Sequence, residues 1–116
     1  MTITLYGIPN CDTVKKARAW LAARDIPYNF HDYKKQGADA DRLAGWIAKA
    51  GVDKVLNKAG TTYRKLDAVQ KTDLDENKAV ALMADQPSMI KRPIVEHPSG
   101  LLVGFKEAEW VDALQA

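Results

Sequence analysis

Cysteine is nearly missing from this chain: Cys11 is the only one in 116 residues. An internal disulfide is therefore excluded, and any oxidised state of Cys11 must involve a second molecule. Long apolar runs are missing too. None approaches the roughly 18 residues of a membrane-spanning helix, and no basic stretch leads into a long apolar one near the start, so a cytoplasmic location with no membrane partner is expected. Charge of one sign is also lacking. Seventeen Lys and Arg against fifteen Asp and Glu leave a formal net charge of +2. With no Lys/Arg tract and no aromatic–basic alternation, nucleic acid is not implied as a partner. The two histidines, His31 and His97, have no cysteine or carboxylate at ligand spacing. No metal is expected, and both histidines read as structural. Internal repeats and low-complexity segments are absent.

What remains is an ordinary globular composition, 47% hydrophobic and 28% charged. It points to a single domain over residues 1–116 with room for a real core. Thr2 to Tyr6 reads as a buried strand ending at Gly7, and Pro9 closes the turn. A helix to about Arg24 follows, with Val14, Ala17, Trp20 and Leu21 on one face and Asp12 or Thr13 as its cap. Tyr28 to Tyr33 alternates as a second strand. Strand, helix and strand with short connections make a right-handed βαβ unit with parallel strands.

Lys34 to Gly37 reads as a polar loop. From Asp39 the pattern turns helical: Leu43, Trp46, Ile47 and Ala50 repeat on one face until Gly51. A helical turn over Val52 to Lys58, a segment capped by Thr61 or Thr62, and a helix over Asp75 to Asp85 with Ala79, Leu82 and Met83 inward complete a middle third with no strand pattern. Pro93 to His97 and Leu101 to Gly104 flank Pro98-Ser99-Gly100 as a hairpin. Glu107 to Leu114 closes as a helix with Ala108, Val111 and Leu114 facing in. The fold class is α/β: a mixed four-stranded βαβ…ββα sheet with a helical insertion at about 38–88 between its halves.

The chemistry concentrates at Tyr6 to Lys16. Cys11 follows a strand and a Gly/Pro turn and meets the start of a helix, beyond the carboxyl end of the strand, where open α/β sheets place their sites. Unpaired N–H groups of a first helical turn, with Lys15 and Lys16 one turn on, favour the thiolate and make it nucleophilic. Asn10 and Asp12 are poor neighbours for a purely structural buried thiol. Arg92, just before Pro93, either pairs with an oxyanion or carboxylate of the thiol's partner or is a surface arginine beside a structural proline.

Together, the Tyr-x-x-Pro-x-Cys start, the helical insertion, Ile90 to Val95 and Gly100 to Gly104 resemble the arsenate-reductase-like branch of the thioredoxin superfamily. The YffB-type glutathione-dependent thiol reductases are the most similar subgroup. The resemblance implies that Cys11 is the nucleophile, that Pro93 is the fold's cis-proline, and that Arg64 and Arg92 match two oxyanion-binding arginines. The third family arginine falls on Phe105 or Lys106, where a lysine supplies charge without a bidentate fork. Gly7 and Ile8 stand where the family's enzymes carry histidine and asparagine. Asp12-Thr13-Val14 replaces their Gly-Thr-Ser, placing a carboxylate beside the thiol that disfavours an arsenate dianion.

The expected activity is therefore thiol-dependent reduction, with glutathione or another thiol as co-substrate, a mixed disulfide on Cys11, and no resident cofactor. Asp12, Thr13, Lys15, Arg64, Arg92, Pro93 and Lys106 are the expected binding residues for a small anionic or disulfide substrate, and a monomer is expected. Arsenate reduction is the alternative with the same residues. A protein-binding module like the Spx-type RNA polymerase-binding regulators is another, although Val14 stands where their Cys-x-x-Cys switch has its second cysteine.

Overall fold

The computed structural model describes residues 3–71 and 74–114. Thr2, expected in the first strand, lies outside them. In chain order the elements are β1 (Thr4–Gly7), α1 (Asp12–Ala23), β2 (Asn29–Asp32), α2 (Tyr33–Gln36), α3 (Ala40–Ala50), α4 (Val52–Val55), α5 (Thr61–Arg64), α6 (Ala68–Lys71) and α7 (Glu76–Asp85). A 3-10 turn (Pro87–Met89), β3 (Ile94–His97), β4 (Gly100–Val103) and α8 (Glu107–Leu114) complete them. The chain divides into two compact units: a sheet unit, which runs to Gln36 and resumes at Arg92, and a helical unit, Gly37–Lys91.

In the sheet unit the strand order is β2-β1-β3-β4. β1 pairs with β2 in parallel, and β3 is antiparallel to both β1 and β4, as the βαβ…ββα pattern requires. Strand alternation sends Leu5, Val95 and Leu102 to one face, where they pack with Val14, Ala17 and Leu21 of α1 and with Trp110 of α8. The indole of Trp110 meets Phe105 edge-on at 4.9 Å and Trp20 at 5.7 Å, and its N–H donates to the Gly104 carbonyl at 3.0 Å. Removing a side chain of this size from such a site costs about 3–5 kcal/mol.

Two expectations for this unit change. Trp110, not Ala108 or Val111, is the inward residue of α8; Ala108 is exposed and Val111 is 41% exposed. The residue with the largest apolar surface and a partner for its N–H takes the buried position, and Leu114 packs only partly against the core. Residues 33–36 form the helical turn α2 rather than a loop, because the Asp32 carboxylate accepts the Lys34 N–H at 2.9 Å and holds the turn's start.

In the helical unit, α3 buries Leu43, Trp46 and Ile47, and α7 buries Ala79 and Met83. The Asp39 carboxylate caps α3 by accepting the Arg42 N–H at 3.0 Å. Asp75 does the same for α7 through the Lys78 N–H at 2.8 Å. Gly51, at φ 92°, stops α3 in a conformation that favours glycine. α5 starts at Gly60 rather than at a threonine cap, and the Thr62 hydroxyl instead contacts that of Ser88 at 2.7 Å. One antiparallel bridge, Leu56 to Ile90, joins segments the sequence pattern had left helical or irregular. The Asn57 N–H to Met89 carbonyl and Lys91 N–H to Val55 carbonyl bonds, both 2.8 Å, flank it.

Candidate functional site

The strand directions put four chain segments at one end of the sheet. β1 and β2 finish there, at Gly7 and Asp32. The β1–β3 register of Tyr6 with Ile94 sets Pro93 one step on, opposite Gly7. The β3–β4 ladder continues past Ile94 and Val103 with the Gly104 N–H donating to the Pro93 carbonyl at 2.8 Å. Cys11, reached from Gly7 through Ile8-Pro9-Asn10, therefore stands at the sheet end that also carries Arg92-Pro93 and Gly104-Phe105-Lys106.

Cys11 is the N-cap residue of α1, with φ −94° and ψ 126°, and its side chain makes no capping hydrogen bond. The cap is thus the cysteine itself and not Asp12 or Thr13, because the Cys11 carbonyl already accepts the Lys15 N–H at 2.9 Å and Asp12 opens the helix. The Cys11 N–H donates back to the Ile8 carbonyl at 3.4 Å, closing the Pro9-Asn10 turn. The thiol is half-buried and packs against the core cluster beneath it. Gly7 permits this close approach of strand and helix: a Cβ there would meet Val14 Cγ2 at 2.8 Å.

The other residues singled out from the sequence fall in different places. Asp12, Thr13 and Lys15 are exposed on the first turn of α1. The Arg92–Pro93 peptide bond is cis, Pro93 is buried and Arg92 is half-buried. Lys106 precedes α8 with 76% of its side chain exposed, and its ammonium lies 3.8 Å from Glu109 of the same helix. Arg64, exposed at the end of α5, belongs to the helical unit.

Sequence reasoning passed over Tyr33, whose buried hydroxyl finds no hydrogen-bond partner among the described residues. Burial pushes its phenol far above the usual tyrosine range; Tyr6 and Glu96 add to this and the Arg92 charge opposes it. Nearby, the Tyr6 hydroxyl donates to Glu96 Oε1 at 2.8 Å and the Tyr6 ring lies 4.8 Å from that of His31. The only hint in the sequence was a tyrosine directly after the strand's last carboxylate. Among the described residues no His/Cys/Asp/Glu group is arranged to hold a metal ion, and no helix is long and apolar enough to cross a membrane.

A mixed sheet in this order, with a cysteine capping the first helix and a cis-proline at the same sheet end, defines a thioredoxin-like α/β protein. The chain belongs to the ArsC family, whose family model matches residues 6–113. It is 44% identical over 108 residues to an uncharacterized protein of Haemophilus influenzae, covering 93% of this chain and 95% of that one. It is 30% identical over 109 residues to the global transcriptional regulator Spx of Staphylococcus haemolyticus, covering 92% and 82%. Among solved structures, a YffB protein superposes with a TM-score of 0.94 at 55% identity, covering 97% of this chain and 98% of that one. An arsenate reductase (ArsC) related protein from Brucella melitensis matches with a TM-score of 0.76 at 46% identity, covering 100% and 97%.

Proposed function

We propose that this protein is a cytoplasmic single-cysteine thiol oxidoreductase that uses glutathione as its co-substrate. One observation carries the reading: the sole thiol caps a 12-residue helix without closing its first turn, at the sheet end shared with Arg92. Cys11 reacts as its thiolate, at a first helical turn whose N–H groups its side chain leaves open. It attacks one sulfur of a disulfide substrate; the S–S bond breaks, Cys11 becomes a mixed disulfide, and the displaced sulfur leaves as a thiolate that takes up a proton. A glutathione thiolate then attacks the substrate-side sulfur, forming a new mixed disulfide and returning Cys11 as thiolate. Arg92 holds an anionic group of the substrate or of glutathione.

Reduced protein incubated with glutathione disulfide, read by mass spectrometry, should carry one glutathione on Cys11, and Cys11→Ser should carry none. Wild-type protein that forms no adduct would sink the reading.

Arsenate reduction uses the same residues, and the 46% identity to the Brucella melitensis protein favours keeping it second. The Asp12 carboxylate beside the thiol works against a dianionic substrate. The relatives called Spx favour a third reading, a polymerase-binding module, in which Cys11→Ser leaves partner binding intact.

A further inference from the structure

Two arginines of α1 lie against aromatic rings, and they use their remaining donors differently. The Arg24 guanidinium lies 4.0 Å from the centre of the Trp20 ring, and its Nη1 donates to the Trp20 carbonyl at 3.3 Å, closing it onto its own helix. The Arg18 guanidinium lies 4.1 Å from the centre of the Phe30 ring, and its Nε donates to the Tyr28 hydroxyl at 3.0 Å. Among the described residues neither Arg18 Nη has a hydrogen-bond partner and no carboxylate pairs with its charge. The Tyr28 oxygen accepts in that bond, so its own proton is left to donate. Arg18, Tyr28 and Phe30 are half-buried, with surface open to solvent. β2 has β1 on one side only, so no strand covers the outer side of this cluster. An arginine normally loses rotamer freedom when it takes an anion, but here the ring and the hydroxyl already hold it. A planar fork with a hydroxyl donor beside it suits a carboxylate. The helix ties this cluster to the thiol. Cys11, Lys15 and Arg18 follow at i, i+4 and i+7 along one flank of α1, and exposed Lys15 adds a positive charge between the other two. Two turns of helix set Arg18 roughly 10 Å from Cys11 along the axis, the span of about three residues of extended chain.

We infer that Arg18 and Tyr28 form a carboxylate site that docks an acidic side chain of a polypeptide disulfide while Cys11 exchanges with it. The inference rests on the thiol reading proposed above and names its substrate class: a polypeptide with aspartate or glutamate about three residues from its reacting cysteine. In the exchange the Cys11 thiolate bonds to the sulfur of the docked polypeptide. The substrate S–S bond breaks, and the displaced sulfur leaves as a thiolate that takes up a proton. The carboxylates of glutathione belong to the residues adjoining its cysteine, too short a reach for this site.

Two symmetric disulfides of short peptides serve as probes, identical except for glutamate or glutamine three residues from the cysteine. Adduct formation on Cys11, timed by mass spectrometry, should be about fivefold faster with the glutamate peptide, the upper range for one exposed ion pair. Arg18→Gln should bring the two rates together. Tyr28→Phe, which keeps the ring and removes only the hydroxyl, should reduce the preference without abolishing it. Exchange with glutathione disulfide should stay at the wild-type rate in both variants. A general loss of stability lowers both peptide rates and leaves their ratio unchanged, so the ratio separates docking from a structural role. Equal rates with the two peptides in wild type, a preference that survives Arg18→Gln or is untouched by Tyr28→Phe, or glutathione disulfide exchange that slows as much as the glutamate peptide would overturn the inference alone. Wild type that forms an adduct with none of the three disulfides would overturn the thiol chemistry and the inference with it.

Discussion

Three helices of this protein begin in two different ways. α3 and α7 start with Asp39 and Asp75, whose carboxylates accept a first-turn N–H at 3.0 and 2.8 Å. α1 starts with Cys11, which has the backbone geometry of a cap but makes no side-chain capping bond. A carboxylate cap satisfies a helix start and stabilises it by about 1 kcal/mol. A thiol in the same place leaves the N–H groups of the turn and their positive end of the helix dipole to act on whatever anion the sulfur becomes or meets. The contrast is between a helix start closed for stability and one left open for chemistry.

The sharpest way to break that contrast is Cys11→Ser. If α1's start is a reaction centre, thiol–disulfide exchange measured by mass spectrometry falls to zero. The strand–helix approach behind the thiol comes next. Gly7→Ala places a methyl 2.8 Å from Val14 Cγ2 in a buried site, and denaturant unfolding should show a loss of about 1–3 kcal/mol. Asp75→Ala should cost about 1 kcal/mol and leave exchange at Cys11 unchanged, because α7 carries no part of the chemistry. Cys11→Ser has a second readout of the opposite sign. Serine is a strong cap where cysteine here makes no bond, so the variant should gain about 0.5–1 kcal/mol while losing all activity. A Cys11→Ser protein that is less stable than wild type would mean the thiol's packing against the core outweighs the open turn.

The closed helix starts were easier to anticipate than the open one. Aspartate at Asp39, ahead of the Leu43, Trp46 and Ile47 stripe, signals its helix by itself. At α1 the same rule favoured Asp12 or Thr13, since both outrank cysteine as caps, and the actual cap was fixed by where β1 ends and the Pro9 turn delivers the chain. The hairpin at Pro98-Ser99-Gly100 and the parallel β1–β2 pair were legible because local turn signals and short connections dictate them. The Leu56 to Ile90 bridge was not, because it pairs single residues far apart in the chain with no alternating pattern on either side. α8 was legible as a helix but not in its rotation: Ala108 and Val111 satisfy the apolar period, yet the Trp110 indole wins the core with its bond to Gly104. Cys11 and Arg92 could be picked out as chemistry-bearing residue types. Tyr33 could not, because an orphaned hydroxyl is a property of the packed structure and leaves no mark on the sequence.

Tyr33 also provides the smallest of these tests, in the pH dependence of stability. Its phenol is held neutral by burial, so its pKa in the folded protein lies above the ordinary value of 10.0. Below pH 10 the phenol is protonated in both folded and unfolded chains and adds no pH dependence. As pH rises past that value, the unfolded chain releases the proton while the folded one keeps it, so the folded state binds more protons and stability falls. Wild type should therefore lose melting temperature steadily from pH 9.5 to 11, and Tyr33→Phe, which has no proton to release, should lose less over the same window. The two proteins differ only in this hydroxyl, so the difference between the two curves reads its removal. Parallel curves would mean that the phenol ionises as readily inside the protein as outside, against its burial.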